Sequence, residues 1–147
     1  MDATELQIIA ALRANARTSL LALAKELRMP HSTVHDKARR QRGKAIIRHT
    51  TLLDFAQLGY ARAYLAIKTT PDGRKRTQEY LSGHRRMNNL HTINSGYDFL
   101  AEVIGKDTKE IEDIVGALRA LPDVSEVQKF TILNDIASEQ FVPGRKP

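Results

Sequence analysis

Between Arg28 and Arg48 stand seven cations, Arg28, Lys37, Arg39, Arg40, Arg42, Lys44 and Arg48, and one acid, Asp36. A surface that needed only hydration would mix the signs, so the excess points to a polyanionic partner. His31, Ser32, Thr33 and His35 stand among them. These are hydrogen-bonding side chains of the kind that reach base edges or phosphates. Contacts to phosphate would supply affinity that falls steeply with salt, while sequence preference would come from groove-facing side chains and from bending of the duplex. His31 and His35 also have the i, i+4 spacing of two metal ligands on one helical turn, but no third ligand lies near them in sequence. The chain has no cysteine, hence no thiolate nucleophile, no disulfide and no Cys-ligated zinc. No paired general acid and base, Gly-rich phosphate loop or nucleophile with its base is found, so no catalytic residue, metal or cofactor is assigned.

Such side chains need a rod to carry them. Read as a helix, Pro30 to Arg42 places Val34, Ala38 and Gln41 on one narrow face that can dock on a core. Ser32, Asp36 and Arg39 take the opposite side, flanked by Thr33, His35 and Arg40. Upstream, Asp2 and Glu5 have capping-box spacing, and Ile8, Ile9 and Leu12 form the stripe of a first helix that stops near Asn15. Thr18 or Ser19 caps a second helix whose buried side is Leu20, Leu23, Ala24 and Leu27. Pro30 cannot continue that helix and disfavours α geometry at Met29, so Arg28, Met29 and Pro30 form a short break. Two short helices joined in this way have the layout of a helix-turn-helix. Gly43 suits the C′ position after the third helix. Ala45 to Ile47 and the residues up to Leu53 read as a small β wing that would lay Arg48 and His49 near phosphates. Phe55 to Tyr60 is a connector, with Gly59 permitting a turn.

The remainder has a different rhythm. Arg62 to Thr69 alternates, with Ala63, Leu65 and Ile67 on one face and Tyr64, Ala66 and Lys68 on the other, as in a half-buried strand. After Pro71, Asp72 and Gly73, a polar helix runs from Arg74 to Ser82 and Gly83 ends it. Leu90 to Ile93 and Phe99 to Ile104 read as a hairpin joined by Asn94, Ser95, Gly96, Tyr97 and Asp98. Asp107 or Thr108 caps a helix in which Ile111, Ile114, Val115 and Leu118 keep 3.6 spacing. Leu121, Pro122 and Asp123 stop it, and Val127 to Leu133 is the last strand. The order strand, helix, strand, strand, helix, strand is the βαββαβ arrangement of ferredoxin-like domains. Both helices would cover one face, leaving Tyr64, Phe130 and Ile132 on an apolar face that calls for a partner, most simply a second sheet.

The whole chain of 147 residues is long enough for one ordinary domain or two small ones. The division expected is a DNA-binding domain over 1–54, a linker over 55–61, a ferredoxin-like domain over 62–137 and a tail over 138–147, its last residues, 143–147, disordered. Residues 1–60 hold ten Lys/Arg against five Asp/Glu, a net +5, whereas 61–147 hold thirteen against twelve, a net +1. The basic character therefore belongs to the helix-turn-helix half. No apolar run could span a bilayer and the first residues lack the pattern of a secretory signal, so the cytoplasm is the expected location, with no membrane partner.

With both halves read, the chain resembles the leucine-responsive regulator and AsnC (Lrp/AsnC) family of transcription factors over nearly its whole length. The resemblance is carried by Ile8, Ile9 and Leu12, Asn15-Ala16-Arg17, Leu23-Ala24, Ser32-Thr33-Val34, Ile46-Ile47, Leu53-Asp54 and Leu58-Gly59-Tyr60. In the second half it rests on Tyr97-Asp98 with Leu100, and on Leu121-Pro122-Asp123-Val124. It implies an α+β chain, with a winged helix-turn-helix followed by a ferredoxin-like (RAM, ACT-like) domain that dimerises through its sheet. It also implies assembly to tetramers or octamers, and an amino acid or similar small effector between C-terminal domains. Relatives usually carry Gly in the turn where this chain has Arg28, so a different turn is possible there. The family's Gly-Asp-Tyr-Asp becomes Ser95-Gly96-Tyr97-Asp98.

The site expected from these readings has two parts. His31, Ser32, Thr33, His35, Lys37, Arg39, Arg40, Arg42, Lys44 and Arg48 would meet double-stranded DNA, and Asn94, Ser95, Gly96, Tyr97 and Asp98 would meet the effector. Asp98 could hold an ammonium group and the amides around Gly96 a carboxylate. The function expected is a sequence-specific, oligomeric transcriptional regulator. A relative without DNA binding that acts as a haem-biosynthesis (sirohaem-type) decarboxylase is the alternative, through His84, Arg85, Arg86 and His91, but it leaves the +5 of the first half without a purpose. RNA binding on the sheet has only Tyr64 and Phe130 to offer as stacking aromatics.

Overall fold

Asp2 begins the first helix by accepting from the Glu5 N–H at 2.8 Å while the Glu5 carboxylate accepts from the Asp2 N–H at 2.9 Å, the capping box its spacing predicts. The computed structural model describes residues 1–94 and 96–144. Helix α1 spans Ala3–Ala14, α2 Leu20–Glu26 and α3 His31–Gln41. Ser19 is the N-cap of α2, its hydroxyl accepting from the Ala22 N–H at 3.0 Å. Ile8, Leu23, Ala24, Val34 and Ala38 form the core of the three helices, with Leu12, Leu20 and Leu27 half-buried around it. These helices and the chain from Ala137 onward form one compact unit, and Leu53–Ile136 form the other.

The turn between α2 and α3 is the one a glycine would make. Arg28 takes φ +53°, its N–H donates to the Lys25 carbonyl at 3.2 Å, and the Met29 N–H donates to the Ala24 carbonyl at 2.9 Å. These are the two bonds of a Schellman motif with a non-glycine residue at the left-handed position. The different turn that Arg28 left open is therefore not adopted; the helix-ending bonds hold the arginine in the costly conformation. Arg28→Gly should raise the unfolding free energy by roughly 0.5–1 kcal/mol, read as a higher denaturation midpoint in urea with an unchanged slope.

The β wing is not formed. Beyond α3 the Gly43 N–H donates to the Ile46 carbonyl at 2.9 Å and the Ile46 N–H to the Gln41 carbonyl at 2.9 Å, closing a tight turn that leaves one isolated bridge, Arg42 to Ile46. Residues 47–54 lie in no strand, because this turn uses the backbone groups that a second strand would need, and a lone pair of short strands is marginal in any case. The connector is a single capped turn. The Asp54 carboxylate accepts from the Gln57 N–H at 3.0 Å, and Gly59, at φ +78°, lets Tyr60 bond back to the Phe55 carbonyl at 2.8 Å.

In the second unit strands β1 (Ala61–Thr69), β2 (Met87–Thr92), β3 (Phe99–Gly105) and β4 (Val124–Thr131) pair antiparallel in the order β2-β3-β1-β4. With α4 (Arg74–Gly83) and α5 (Thr108–Arg119) this is the ferredoxin-like arrangement expected. Ala63, Leu65 and Ile67 face Leu81 of α4 and Ile111, Ile114, Val115 and Leu118 of α5 in one core. The last strand starts three residues earlier and ends two earlier than its apolar pattern suggested, because Val124 joins Val127 on its buried side, and β2 likewise starts at Met87. Of the tail expected to be disordered, Arg145 to Pro147 lie outside the described residues. Pro143 and Gly144 instead lie along α1, and Arg13 donates to the Phe141 carbonyl at 3.3 Å and pairs with Glu139. They are placed because Leu6, Ala10 and Ala14 of α1 leave an apolar strip for them.

Candidate nucleic-acid interface and ligand pocket

Helix α3 meets its core through Val34 and Ala38 alone, and that narrow anchorage decides where every other side chain goes. His31, Ser32, His35, Arg39 and Arg40 are exposed, Thr33 is half-buried, and Arg42, Lys44 and Arg48 lie exposed beyond the helix end. Lys37 is the exception: its ammonium pairs with the Asp2 carboxylate and its side chain is 15% exposed. That hydrogen bond is the largest of the effects holding the Asp2 carboxyl below its usual range. Nothing local announces this pair across 35 positions; only the docked helices bring it together. Arg40 comes within 3.8 Å of the Glu5 carboxylate yet keeps 61% of its side chain in solvent. Arg39 stands 4.0 Å and His35 3.7 Å from Asp36, all three well exposed, so these are loose pairs that a phosphate can displace.

The His31 and His35 rings lie with centroids 6.2 Å apart on the exposed side. Among the described residues, no group of three or more His, Cys, Asp and Glu side chains is placed to hold a metal.

The hairpin loop forms a pocket of about 1110 Å³ lined by the ends of β1 and β2, the 3₁₀ turn Pro71–Gly73, the start of α4 and the loop itself. Asn94, Gly96, Tyr97 and Asp98 all line it; Ser95 lies outside the described residues. Asp98 closes the loop. One carboxylate oxygen accepts from the Thr69 N–H at 2.8 Å and the Thr69 hydroxyl at 2.9 Å; the other lies 3.5 Å from the Arg74 guanidinium. The backbone of Asp98 bonds to the Ile67 carbonyl and the Ile93 N–H. The Thr69 N–H, first, then its hydroxyl and Arg74, hold the Asp98 carboxyl below its usual range. The Tyr97 hydroxyl lies 2.7 Å from a Glu126 oxygen and 2.9 Å from the Gln128 amide oxygen, and the bond to Glu126 pushes its pKa up. Sequence reasoning missed Lys68, Thr69 and Arg74 as pocket residues. The available signal was Lys68, which with Arg62 is one of two charges on the open face of β1.

A helix-turn-helix with a basic outward helix, joined to a ferredoxin-like sheet that carries a ligand-sized pocket, defines a two-domain transcription regulator. The AsnC-type helix-turn-helix domain matches residues 1–40, and the Lrp/AsnC ligand binding domain matches residues 62–140. The chain belongs to the Lrp/AsnC family and is a transcriptional regulator with DNA-binding and ligand-binding domains. It is 27% identical over 120 residues to an HTH-type transcriptional regulator of Pyrococcus furiosus, covering 78% of this chain and 80% of that one. It is 24% identical over 134 residues to the HTH-type transcriptional regulator LysM of Sulfurisphaera tokodaii, covering 90% and 95%. In fold it is similar to a Neisseria meningitidis transcriptional regulator solved as a complex with L-Met, with a TM-score of 0.86 at 16% identity, covering 97% and 96%. Regulator names among the relatives favour this reading over the decarboxylase. No helix among the described residues is long and apolar enough to cross a membrane.

Proposed function

We propose that the protein is a cytoplasmic, sequence-specific regulator that works by binding rather than by catalysis, its α3 lying in the major groove of duplex DNA. The observation that carries this is the face of α3 formed by Ser32, His35 and Arg39, which contributes nothing to the core and is held outward by it. His31, Ser32, Thr33, His35 and Arg39 read base edges, and Arg40, Arg42, Lys44 and Arg48 contact phosphates. Lys37 serves as the clamp between α3 and α1 and touches DNA only if its pair with Asp2 opens. Residues 1–54 act as the DNA-binding domain and 62–137 as the oligomerisation and effector domain.

A second copy covers the open face of the sheet, where Phe130 is 46% exposed beside Tyr64, its register partner. Larger assemblies are built from that dimer. The effector is an amino acid or similar small molecule bound between C-terminal domains, with the hairpin loop as this chain's share of the site. The L-Met complex of the Neisseria protein supports an effector of this size. Selecting duplexes from a random pool with the full chain, at two salt concentrations, should enrich a roughly palindromic motif with half-sites about one helical turn, or a multiple of it, apart. Enrichment of no motif at either salt would overturn the assignment.

A further inference from the structure

We infer that the C-terminal tail is a second tether for the helix-turn-helix and fixes the spacing at which a dimer reads its two half-sites. This rests on the reading of a dimer bound to paired half-sites. The chain passes between its two units twice, between Leu52 and Leu53 and again between Ile136 and Ala137. The first passage is soft. Residues 47–53 are exposed and lie in no helix or strand, and among the described residues their backbone groups bond to no other backbone group. A free chain of these seven residues spans roughly 15 Å root-mean-square.

The second passage is fastened at both ends. On the sheet side the Ile132 N–H donates to the Arg62 carbonyl at 3.1 Å, and the Arg62 guanidinium pairs with Asp135. On the helix side Arg13 of α1 grips the tail by its backbone: its guanidinium donates to the Glu139 carbonyl at 3.2 Å, to the Phe141 carbonyl at 3.3 Å and to the Glu139 carboxylate. Val142 and Pro143, both half-buried, then settle against Leu6 and Ala10, which lie outside the core of the three helices. Only Ile136, Ala137 and Ser138 separate the two fastenings. What the tail holds is the helix that holds α3, since Asp2 pairs with Lys37 and Ile8 shares a core with Val34 and Ala38. Recognition helices on soft tethers would each find a half-site wherever the tether reaches, whereas helices held by short ones accept a single spacing. Two added base pairs move half-sites apart by about 7 Å and turn them by about 70°. The free passage alone would absorb that shift, and the fastened tail does not.

The test uses the palindromic duplex recovered by selection, the same duplex with two base pairs added between its half-sites, and a duplex with one half-site. Fluorescence anisotropy compares them on the full chain, on Arg13→Ala and on a chain ended after Ile136. The added base pairs should weaken the full chain by at least about tenfold and each variant by less than about threefold, with half-site affinity unchanged. Each penalty compares two duplexes on one protein, so the charges of Arg145 and Lys146, lost with the tail, cancel from it. An equal penalty in the full chain and in Arg13→Ala, or no penalty in the full chain, would overturn the inference and leave the regulator reading standing. Should the shortened chain fail to bind even one half-site, Arg13→Ala, with its tail intact, decides. Selection that recovers no motif would overturn both readings.

Discussion

Replacing Arg39 and Arg40 together by alanine is expected to lower duplex affinity by about 30- to 1000-fold and to flatten its dependence on salt. Arg39 is exposed on the outer face of α3; in the proposed complex its guanidinium meets a base edge, and a good base contact is worth about 1–3 kcal/mol. In the proposed complex Arg40 meets a phosphate, and each lost phosphate contact lowers the slope of log affinity against log salt by about 1. The two together amount to roughly 2–4 kcal/mol, which is the range of fold-changes given. The folded state offers little to offset this. Arg39 meets Asp36 only at 4.0 Å and Arg40 meets Glu5 at 3.8 Å, with both guanidinium groups mostly in solvent. Exposed pairs of that length contribute at most a few tenths of a kcal/mol, so the double variant should melt close to the parent. Fluorescence anisotropy at two salt concentrations, with a melting curve of each variant, measures both quantities. Unchanged affinity and an unchanged salt slope in a folded variant would remove α3 from the interface.

What the sequence made legible follows from the range of the forces involved. Caps and stripes are local, so the Asp2–Glu5 box, the Ser19 cap, the Asp107 cap and the stripe of α5 could all be read directly. The alternation in β1 likewise announced which residues meet the helices. Tertiary partners were not legible. Lys37 looked like every other cation on α3 until α1 brought Asp2 to it, and nothing local announced that Thr69 would donate twice to one oxygen of Asp98. The wing failed for the same reason. Ile46 and Ile47 carry strand propensity, but a strand needs a neighbour, and the turn at Gly43 bends the chain back on the end of α3. Arg28 shows the converse: residue preference argued for a new turn, and the two helix-ending bonds prevailed.

The largest effect on stability should come from Phe99→Ala, at about 3–5 kcal/mol. Phe99 is 1% exposed and heads the fully buried side chains in size among the described residues. It opens β3 immediately after the loop, opposite Ile67 on β1 and Thr92 on β2, and belongs to the core that includes Leu65, Leu81 and Leu118. Removing its ring leaves a cavity between strands that are hydrogen-bonded on both sides and cannot close over it, which places the cost toward the upper end of its class. A small domain has only about 5–15 kcal/mol in hand, so the second unit should lose well over ten degrees of its thermal midpoint. The same ring is the floor under Arg74, so the pocket loses its brace along with its core. Differential scanning calorimetry of the full chain should show one transition moving and another staying, since Ile8, Leu23 and Val34 form a separate core. If both transitions moved together, or the loss came to less than about 1 kcal/mol, Phe99 would not be the centre of the second unit as its burial indicates.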